Sequence, residues 1–399
     1  MNSGLGKVFG WGVVFSLLGF VQSVLLARHL GVNGRGVVAI PISFINLMLP
    51  IAVMGLKQGM TYYYFDKALF LSRMSLYLTL LISSSLVMVF IIGFYFSFPE
   101  YNEDIYVIGA LFLAKALIDI YSYTYYFDKS VYKIAKINVI RLIIEIILIV
   151  VVASFSELDP TKVFLIYLVS ALFQLACVKL DEKKNTFIGS YKITSEFILK
   201  SLSFAVPLFF INVNLTIDIV LLGRLAEPSE VGFYQVAVSI ANLTWVLPAI
   251  ISPYIFSKSA TKSLDEILIN AKKTLLLVTI LIPLVIPIWY ISPYIFTILF
   301  GSDFSKSSSL FNIILPGYIT MLFYKFVNGM LSSKGFTKMP LVIFALGAIL
   351  NILLNIITIP SYGSKGAAYS TLASYLFCSI LFFVYVGHMS YAKNKKMVT

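Results

Sequence analysis

Long apolar segments, separated by short polar connectors, follow one another through the whole of this 399-residue chain. A helix needs roughly 20 apolar residues to cross a hydrocarbon core about 30 Å thick. Hydrophobic residues make up 59% of the chain and charged residues 12%, which leaves too little polar surface for a water-soluble particle of this size. The sequence therefore predicts an all-α integral membrane protein with about 12 transmembrane helices. The predicted spans are 7–27, 37–60, 74–98, 104–126, 137–155, 161–179, 201–223, 231–253, 273–298, 308–331, 339–359 and 366–388.

Part of the sequence occurs twice, 196 residues apart: segment 24–47 aligns without gaps with segment 220–243, and 8 of the 24 positions are identical. The identical pairs are Val24/Val220, Leu25/Leu221, Leu26/Leu222, Arg28/Arg224, Gly36/Gly232, Ser43/Ser239, Asn46/Asn242 and Leu47/Leu243. Self-similarity at half the chain length indicates two lobes built to one plan. Because six helices per lobe is an even number, both lobes would enter the membrane in the same direction, as a parallel pseudo-symmetric repeat. We predict an N-terminal lobe at 1–180, a cytoplasmic linker at 181–200 and a C-terminal lobe at 201–399.

The basic residues are distributed unequally between the two sides of the predicted spans. With the amino terminus inside, 21 Lys and Arg residues fall on the cytoplasmic side and 6 on the outer side. The positive-inside rule therefore predicts that both termini are cytoplasmic. The basic residues behind the net charge of +12 are spread over several short inner segments and do not form one patch, so the charge does not indicate a nucleic-acid partner.

No pattern typical of a familiar enzyme occurs in the sequence. His, Cys and carboxylate residues do not stand at metal-ligand spacings, and no glycine-rich phosphate loop with its Lys-Ser/Thr is present. The chain is therefore not expected to be an enzyme or to hold a metal or other cofactor. One alternative is that the chain is an enzyme after all, a membrane polysaccharide polymerase or ligase. Such an enzyme usually carries a large outer loop, and the short predicted outer connectors of this chain disfavour it.

Four sequence motifs resemble those of one transporter family. They are LARHLG at 26–31, TIDIVLLGRLAEPSEVGFY at 216–234, LFGSDF at 299–304 and IPSYGSKGAA at 359–368. Their residues and order resemble the polysaccharide flippases of the superfamily that also contains MATE-type drug exporters and the lipid II flippase. The resemblance covers nearly the whole chain and implies a MATE-like fold.

The resemblance also implies a function and a location. The protein would move an undecaprenyl-diphosphate-linked oligosaccharide, such as an O-antigen or capsule repeat unit, across the bacterial cytoplasmic membrane by alternating access, coupled to H⁺ or Na⁺. Its partners would then be this substrate, membrane lipids, and polymerase and chain-length proteins of the same pathway. A MATE-type exporter of small cationic molecules is the first alternative, but its cavity should be acidic, and the six charges that lie more than three residues from the ends of the predicted spans are three basic and three acidic.

Charged residues inside spans are expensive and mark candidate sites. Lys115 and Asp119, like Arg141 and Glu145, stand four residues apart, so each pair lies on one helical face and can neutralise itself. One reading makes both pairs purely structural; the other makes Lys115 and Arg141 contacts for the diphosphate. Lys325 has no acid three or four residues away and is predicted either to contact the same anion or to pair with Asp218.

Three further residues complete the predicted substrate site. Gln22 stands where the lipid II branch carries a cavity arginine, and Lys57 is the first basic residue of the second span, which argues against lipid II itself as the substrate. Arg28 lies at the outer end of the first span, where capping the helix and anchoring it at the interface is the alternative role.

A second set of polar residues lies in three spans of the predicted C-terminal lobe. It comprises Asp218, Asn214, Asn351, Asn355 and Thr371. The set resembles the sodium site of the lipid II flippase, although Asn355 stands where an acid is expected. Ion coupling through sodium or through protonation of Asp218, and hydrogen bonding between helices, are the open interpretations.

Overall fold

In a computed structural model of the protein, residues 3–67, 73–123, 125, 131–184 and 194–398 are described. Within these ranges all regular structure is helical, as predicted. The fourteen α-helices described are α1 Ser3–Ala52, α2 Leu56–Lys67, α3 Arg73–Ser97, α4 Ile105–Tyr121, α5 Val131–Phe155, α6 Pro160–Lys184, α7 Ser195–Leu225, α8 Pro228–Ala241, α9 Val246–Ala260, α10 Leu264–Leu281, α11 Val285–Phe300, α12 Ser305–Ser332, α13 Lys338–Tyr362 and α14 Ser364–Val398.

Ten helical stretches of the described chain are long and apolar enough to cross a membrane. They agree with the predicted spans once two differences are included. The first two predicted spans lie in one stretch, Gly6–Tyr63. The predicted span 104–126 appears as α4, whose 17 residues are slightly too few for it to be counted among the ten. The prediction of about twelve membrane helices is therefore confirmed.

The helix boundaries follow glycine and proline residues. Gly31 has φ 66° and kinks α1 between its two predicted spans, because a left-handed backbone conformation favours glycine. Met54 and Gly55 also have positive φ, and the turn that they form separates α1 from α2. Pro283 lies in the 3-10 turn Ile282–Leu284, which divides the predicted span 273–298 into α10 and α11. Proline causes such breaks because it lacks the N–H that the helix requires.

The chain forms two compact units. The first contains Val37–Val220 and the residues up to Leu30, and the second contains Gly31–Gly36 and the residues from Leu221 onwards. The division falls inside α7, later than the predicted linker 181–200, of which residues 185–193 lie outside the described part of the chain. The repeat lobes 1–180 and 201–399 therefore remain a prediction.

Each unit is packed around its own helices. In the first unit α4 packs against α3 and α6, and α5 packs against α6. In the second unit α12 contacts α8, α9, α10, α11 and α14, and most of its residues are buried. α12 is thus the central helix of the second unit.

The duplicated glycines meet in the second unit. A Cβ added to Gly36 would collide with the carbonyl group of Pro228, and a Cβ added to Gly232 would collide with the carbonyl group of Val32. Residues 32 and 228, like 36 and 232, are separated by the 196-residue offset of the repeat. The two copies therefore pack on each other reciprocally, and glycine is required at both positions because the obstructing atoms belong to the backbone.

Candidate functional site

Glu145 lies at the centre of a polar cluster in the first unit. It is on α5, its side chain is 2% exposed, and it forms an ion pair with Arg141 one turn earlier. Gln22 of α1 donates from Nε2 to Glu145 Oε2 at 2.8 Å, and the Ser170 hydroxyl of α6 donates to Oε1 at 2.5 Å. The buried carboxylate is therefore satisfied by side chains from three helices, as burial of a charge requires.

Lys115 adds a second cation to this cluster. It is a partly buried residue of α4 and interacts electrostatically with both Arg141 and Glu145. Within the described part of the chain, no carboxylate lies within ion-pair distance of its ammonium group. Because Glu145 neutralises Arg141, the cluster retains one uncompensated positive charge, and Lys115 carries it.

The ion pairs differ in part from those predicted. Arg141 and Glu145 do pair along their helix, but Asp119 pairs with Lys57 of α2 at 2.5 Å, not with Lys115. The i, i+4 spacing permits a pair without enforcing it, and α2 packs against α4 where Lys57 can reach Asp119. Lys57 is thereby neutralised, and Lys115 is released from the partner that the sequence assigned to it.

Two other predicted substrate contacts have different surroundings. Arg28 is exposed near the kink of α1. Lys325 lies on α12 in the second unit, and its Nζ is 4.2 Å from the centroid of the Trp245 ring. Asp218, the other predicted partner of Lys325, belongs to the first unit, so their pairing stays a prediction.

The predicted ion-coupling residues are all buried. Asn214 and Asp218 stand one turn apart on α7 in the first unit, and the Asn214 amide donates to the Phe210 carbonyl at 3.1 Å. In a membrane segment such side chains have no water to solvate them, so they are the kind of group expected to serve a function or to join helices.

In the second unit, the other three predicted residues belong to a hydrogen-bond network between α13 and α14. Asn355 donates to Asn351 at 3.0 Å, and Asn351 donates to the Ser374 hydroxyl at 3.2 Å. Thr371 shares a 2.6 Å hydrogen bond with the Tyr234 hydroxyl of α8. These contacts correspond to the helix-joining interpretation, and they leave the coupling role as a proposal.

Sequence reasoning missed Ser170, Ser374, Tyr234 and Trp245 as partners of the predicted residues. Tyr234 had a signal, because it ends the Gly-x-Tyr motif at 232–234. A serine or a single tryptophan in an apolar span gives no comparable signal, since its role depends on which helix lies next to it. Among the described residues, no group of three or more His, Cys, Asp or Glu side chains could hold a metal ion.

The fold is similar to that of solved membrane proteins. It is similar to the lipid II flippase MurJ in an inward closed conformation, with a TM-score of 0.72, 18% identity, and coverage of 95% of this chain and 87% of that one. It is also similar to an inward-facing multidrug resistance MATE family transporter of the MOP superfamily, with a TM-score of 0.68, 12% identity and coverage of 96% of both chains. The protein therefore has the all-helical, multi-pass fold of that superfamily.

Sequence families identify the branch more closely. The family described as polysaccharide biosynthesis protein matches residues 8–259, and the family described as lipid II flippase MurJ matches residues 231–399. Since the first match covers more than half of the sequence, the chain belongs to the polysaccharide biosynthesis protein family. This result confirms the resemblance to that family that was inferred from the four motifs.

A curated relative shares part of the sequence. The probable low-salt glycan biosynthesis flippase Agl15 of Haloferax volcanii is 25% identical over 171 residues. The match covers 41% of this chain and 36% of that protein, so it spans about a third of the relative's length.

Proposed function

We propose that this protein is a flippase that moves an undecaprenyl-diphosphate-linked oligosaccharide repeat unit from the cytoplasmic to the outer leaflet of the bacterial cytoplasmic membrane. The observation that supports this best is the uncompensated positive charge on Lys115, held among apolar spans beside Arg141 and Glu145. Both termini are proposed to be cytoplasmic, and polymerase and chain-length proteins are proposed as pathway partners. We expect no enzymatic activity.

The chemistry of the cluster favours an anionic cargo. A charge inside a membrane protein is retained only where it faces a partner or a polar cavity. Arg141 and Lys57 already have carboxylate partners, whereas the three hydrogen-bond donors of the Lys115 ammonium are available to a diphosphate oxygen. A small cationic drug would be repelled by the same charge, which disfavours the MATE-type alternative.

Gln22 and Arg141 are proposed to position the site rather than to grip the diphosphate directly. Both act on Glu145, one by a hydrogen bond and one by an ion pair. A fixed Glu145 in turn fixes the guanidinium that lies near Lys115. Arg28, which is exposed, is proposed to anchor its helix end at the interface.

The first test is transport by purified protein in liposomes. The cargo is a fluorescent polyprenyl diphosphate carrying a disaccharide, and its accessibility to a membrane-impermeant quencher reports flipping. Lys115→Met keeps the length of the side chain and removes the charge, so we expect flipping to fall at least about tenfold, because hydrogen bonds to charged groups contribute roughly 1.5–3 kcal/mol.

The matched control for this test is Lys338→Met, which removes an exposed lysine at the start of α13 and should leave the rate unchanged. Equal rates for Lys115→Met and the wild type would contradict the proposed role of Lys115. Export of a lipophilic cation with no flipping of the disaccharide lipid would establish the MATE-type alternative, and elongation of the glycan in the vesicles would establish the polymerase.

Energy coupling is proposed to use the buried carboxylate of Asp218, with Asn214 beside it on α7 and with Asn351, Asn355 and Thr371 as further polar groups. In the same liposomes, an imposed H⁺ or Na⁺ gradient should accelerate wild-type flipping severalfold, and Asp218→Asn should abolish that acceleration. Because the substitution keeps the shape of the side chain, flipping without a gradient should persist. A mutant that still responds to the gradient would rule out Asp218 as the coupling residue.

A further inference from the structure

Lys325 occupies an unusual position for a lysine within a span. It lies on α12, the helix around which the second unit packs, and its side chain is only partly buried. Its Nζ stands 4.2 Å from the centroid of the Trp245 ring, a distance at which an ammonium ion is attracted by the ring's negative face. Among the described residues, no carboxylate completes the contact.

The Trp245 ring is itself held firmly. It belongs to the 3-10 turn Asn242–Trp245 that joins α8 to α9, and it is 7% exposed. Its Nε1–H donates to the Tyr318 carbonyl at 2.9 Å. The Tyr318 ring stacks on the indole with centroids 4.1 Å apart and an interplanar angle of 19°, and the Tyr375 ring lies at 5.5 Å.

The lysine and the stacked phenol belong to the same helix. Tyr318 and Lys325 are seven residues apart on α12, two helical turns, so both side chains lie on the face of α12 that meets Trp245. A contact with a ring face attracts the charge but supplies no oxygen, so the lysine's donors stay available for an anion.

We propose that Lys325 and Trp245 form an anion subsite in the second unit, which binds the diphosphate of the lipid-linked cargo, with Trp245 as the positioning residue. The ligand class rests on the proposed function. Trp245 keeps the ammonium at a fixed place without neutralising it, which a carboxylate partner would do. Lys325 and Trp245 belong to the second unit, and the Lys115 cluster belongs to the first.

Lys306 provides a matched contrast in the same unit. Its Nζ lies 5.1 Å from the Phe233 ring centroid, but it also forms an ion pair with Glu230. Lys306 therefore also lies near an aromatic ring, but Glu230 already compensates its positive charge. Lys306→Met should not change the binding of an anionic probe.

The test measures binding, independently of transport. Farnesyl diphosphate is titrated into the purified full-length protein, with farnesol and inorganic diphosphate as separate probes. In a variant carrying Trp11→Phe and Trp289→Phe, Trp245 is the single tryptophan left of three, and its emission reports occupation of the subsite. We expect farnesyl diphosphate to change this emission, farnesol to leave it unchanged, and Lys325→Met to remove the response.

Calorimetry with the otherwise native chain tests the positioning role. Lys325→Met and Trp245→Leu should each weaken farnesyl diphosphate binding by about tenfold or more, and Trp245→Phe, which keeps a ring, should recover most of the loss. The double variant Lys325→Met/Trp245→Leu should bind no more weakly than Lys325→Met alone. That non-additivity is the readout that a merely structural tryptophan would not give.

Unchanged affinity in Lys325→Met would overturn the subsite, and additive losses in the double variant would overturn the positioning role. Equal binding of inorganic diphosphate and farnesyl diphosphate would show a site for free phosphates, in place of the lipid-linked cargo. If the wild-type protein flips the cargo and the Lys325→Met variant binds farnesyl diphosphate normally, only the anion subsite is refuted and the proposed function stands. Binding that depends on Lys325, in a protein that flips nothing, would refute the proposed function and leave the subsite intact.

Discussion

Replacing Glu145 with alanine is expected to destabilise the protein strongly. The change leaves Arg141 and Lys115 together without a counter-charge and removes the acceptor for Gln22 and Ser170. Removal of one member of a buried ion pair costs about 3–5 kcal/mol. Because the Arg141 side chain is 21% exposed, we expect a loss near the lower end, about 3 kcal/mol.

The free energy of unfolding, measured by denaturant titration in mixed micelles, checks this prediction, with Glu145→Gln and Arg141→Leu/Glu145→Leu as companions. Glu145→Gln keeps an acceptor for the two polar neighbours and should fall between wild type and Glu145→Ala. The double variant removes both charges and should recover stability relative to Glu145→Ala, since burying two apolar side chains avoids the unpaired cation. If the double variant were the less stable of the two, the ion pair would not be the source of the effect.

The same cluster shows what the sequence could and could not specify. The Arg141–Glu145 pair was predictable because both residues lie on one helix, where spacing alone brings side chains together. The Lys57–Asp119 pair was not, because it depends on how α2 packs against α4. The consequence for function is large: a local rule assigned Asp119 to Lys115, and the tertiary contact gives it to Lys57.

The fold followed from the sequence for a different reason. A span in a bilayer must satisfy its backbone groups within itself, so a long apolar segment permits little other than a helix. The boundaries were less predictable, since the break at Pro283 and the turn at Gly55 divide apolar runs that look continuous. The contact between Lys325 and Trp245 lay wholly beyond the sequence, because 80 residues separate the two and no spacing rule relates them.

The structure explains one of the identities between the two copies of the repeat. One of the eight identities between the two copies is Gly36/Gly232, where each copy lies against the backbone of the other. Identity there is explained by close approach, since a larger residue in either copy would separate both. Arg28, by contrast, is exposed, and a role at the membrane interface agrees with that position.

Alanine at Gly232 or at Gly36 is expected to disrupt this contact strongly. The added Cβ would overlap the carbonyl group of Val32 or of Pro228, and a backbone carbonyl cannot rotate away as a side chain could. Overpacking a close contact typically costs about 1–3 kcal/mol and occasionally more, and we expect the upper end for each variant. Flipping in liposomes should fall with stability, because the two repeat copies would be held apart at the point where they meet.

Gly93→Ala and Gly387→Ala are the matched controls for these variants. Both glycines lie within helices, and a Cβ at either position would have no atom within 4 Å. Since alanine favours a helix over glycine by roughly 1 kcal/mol, the control variants should be as stable as the wild type or slightly more so. Unfolding titrations of all four variants decide the matter: Gly36→Ala and Gly232→Ala proteins as stable as the two controls would mean that the copies of the repeat do not need their close approach.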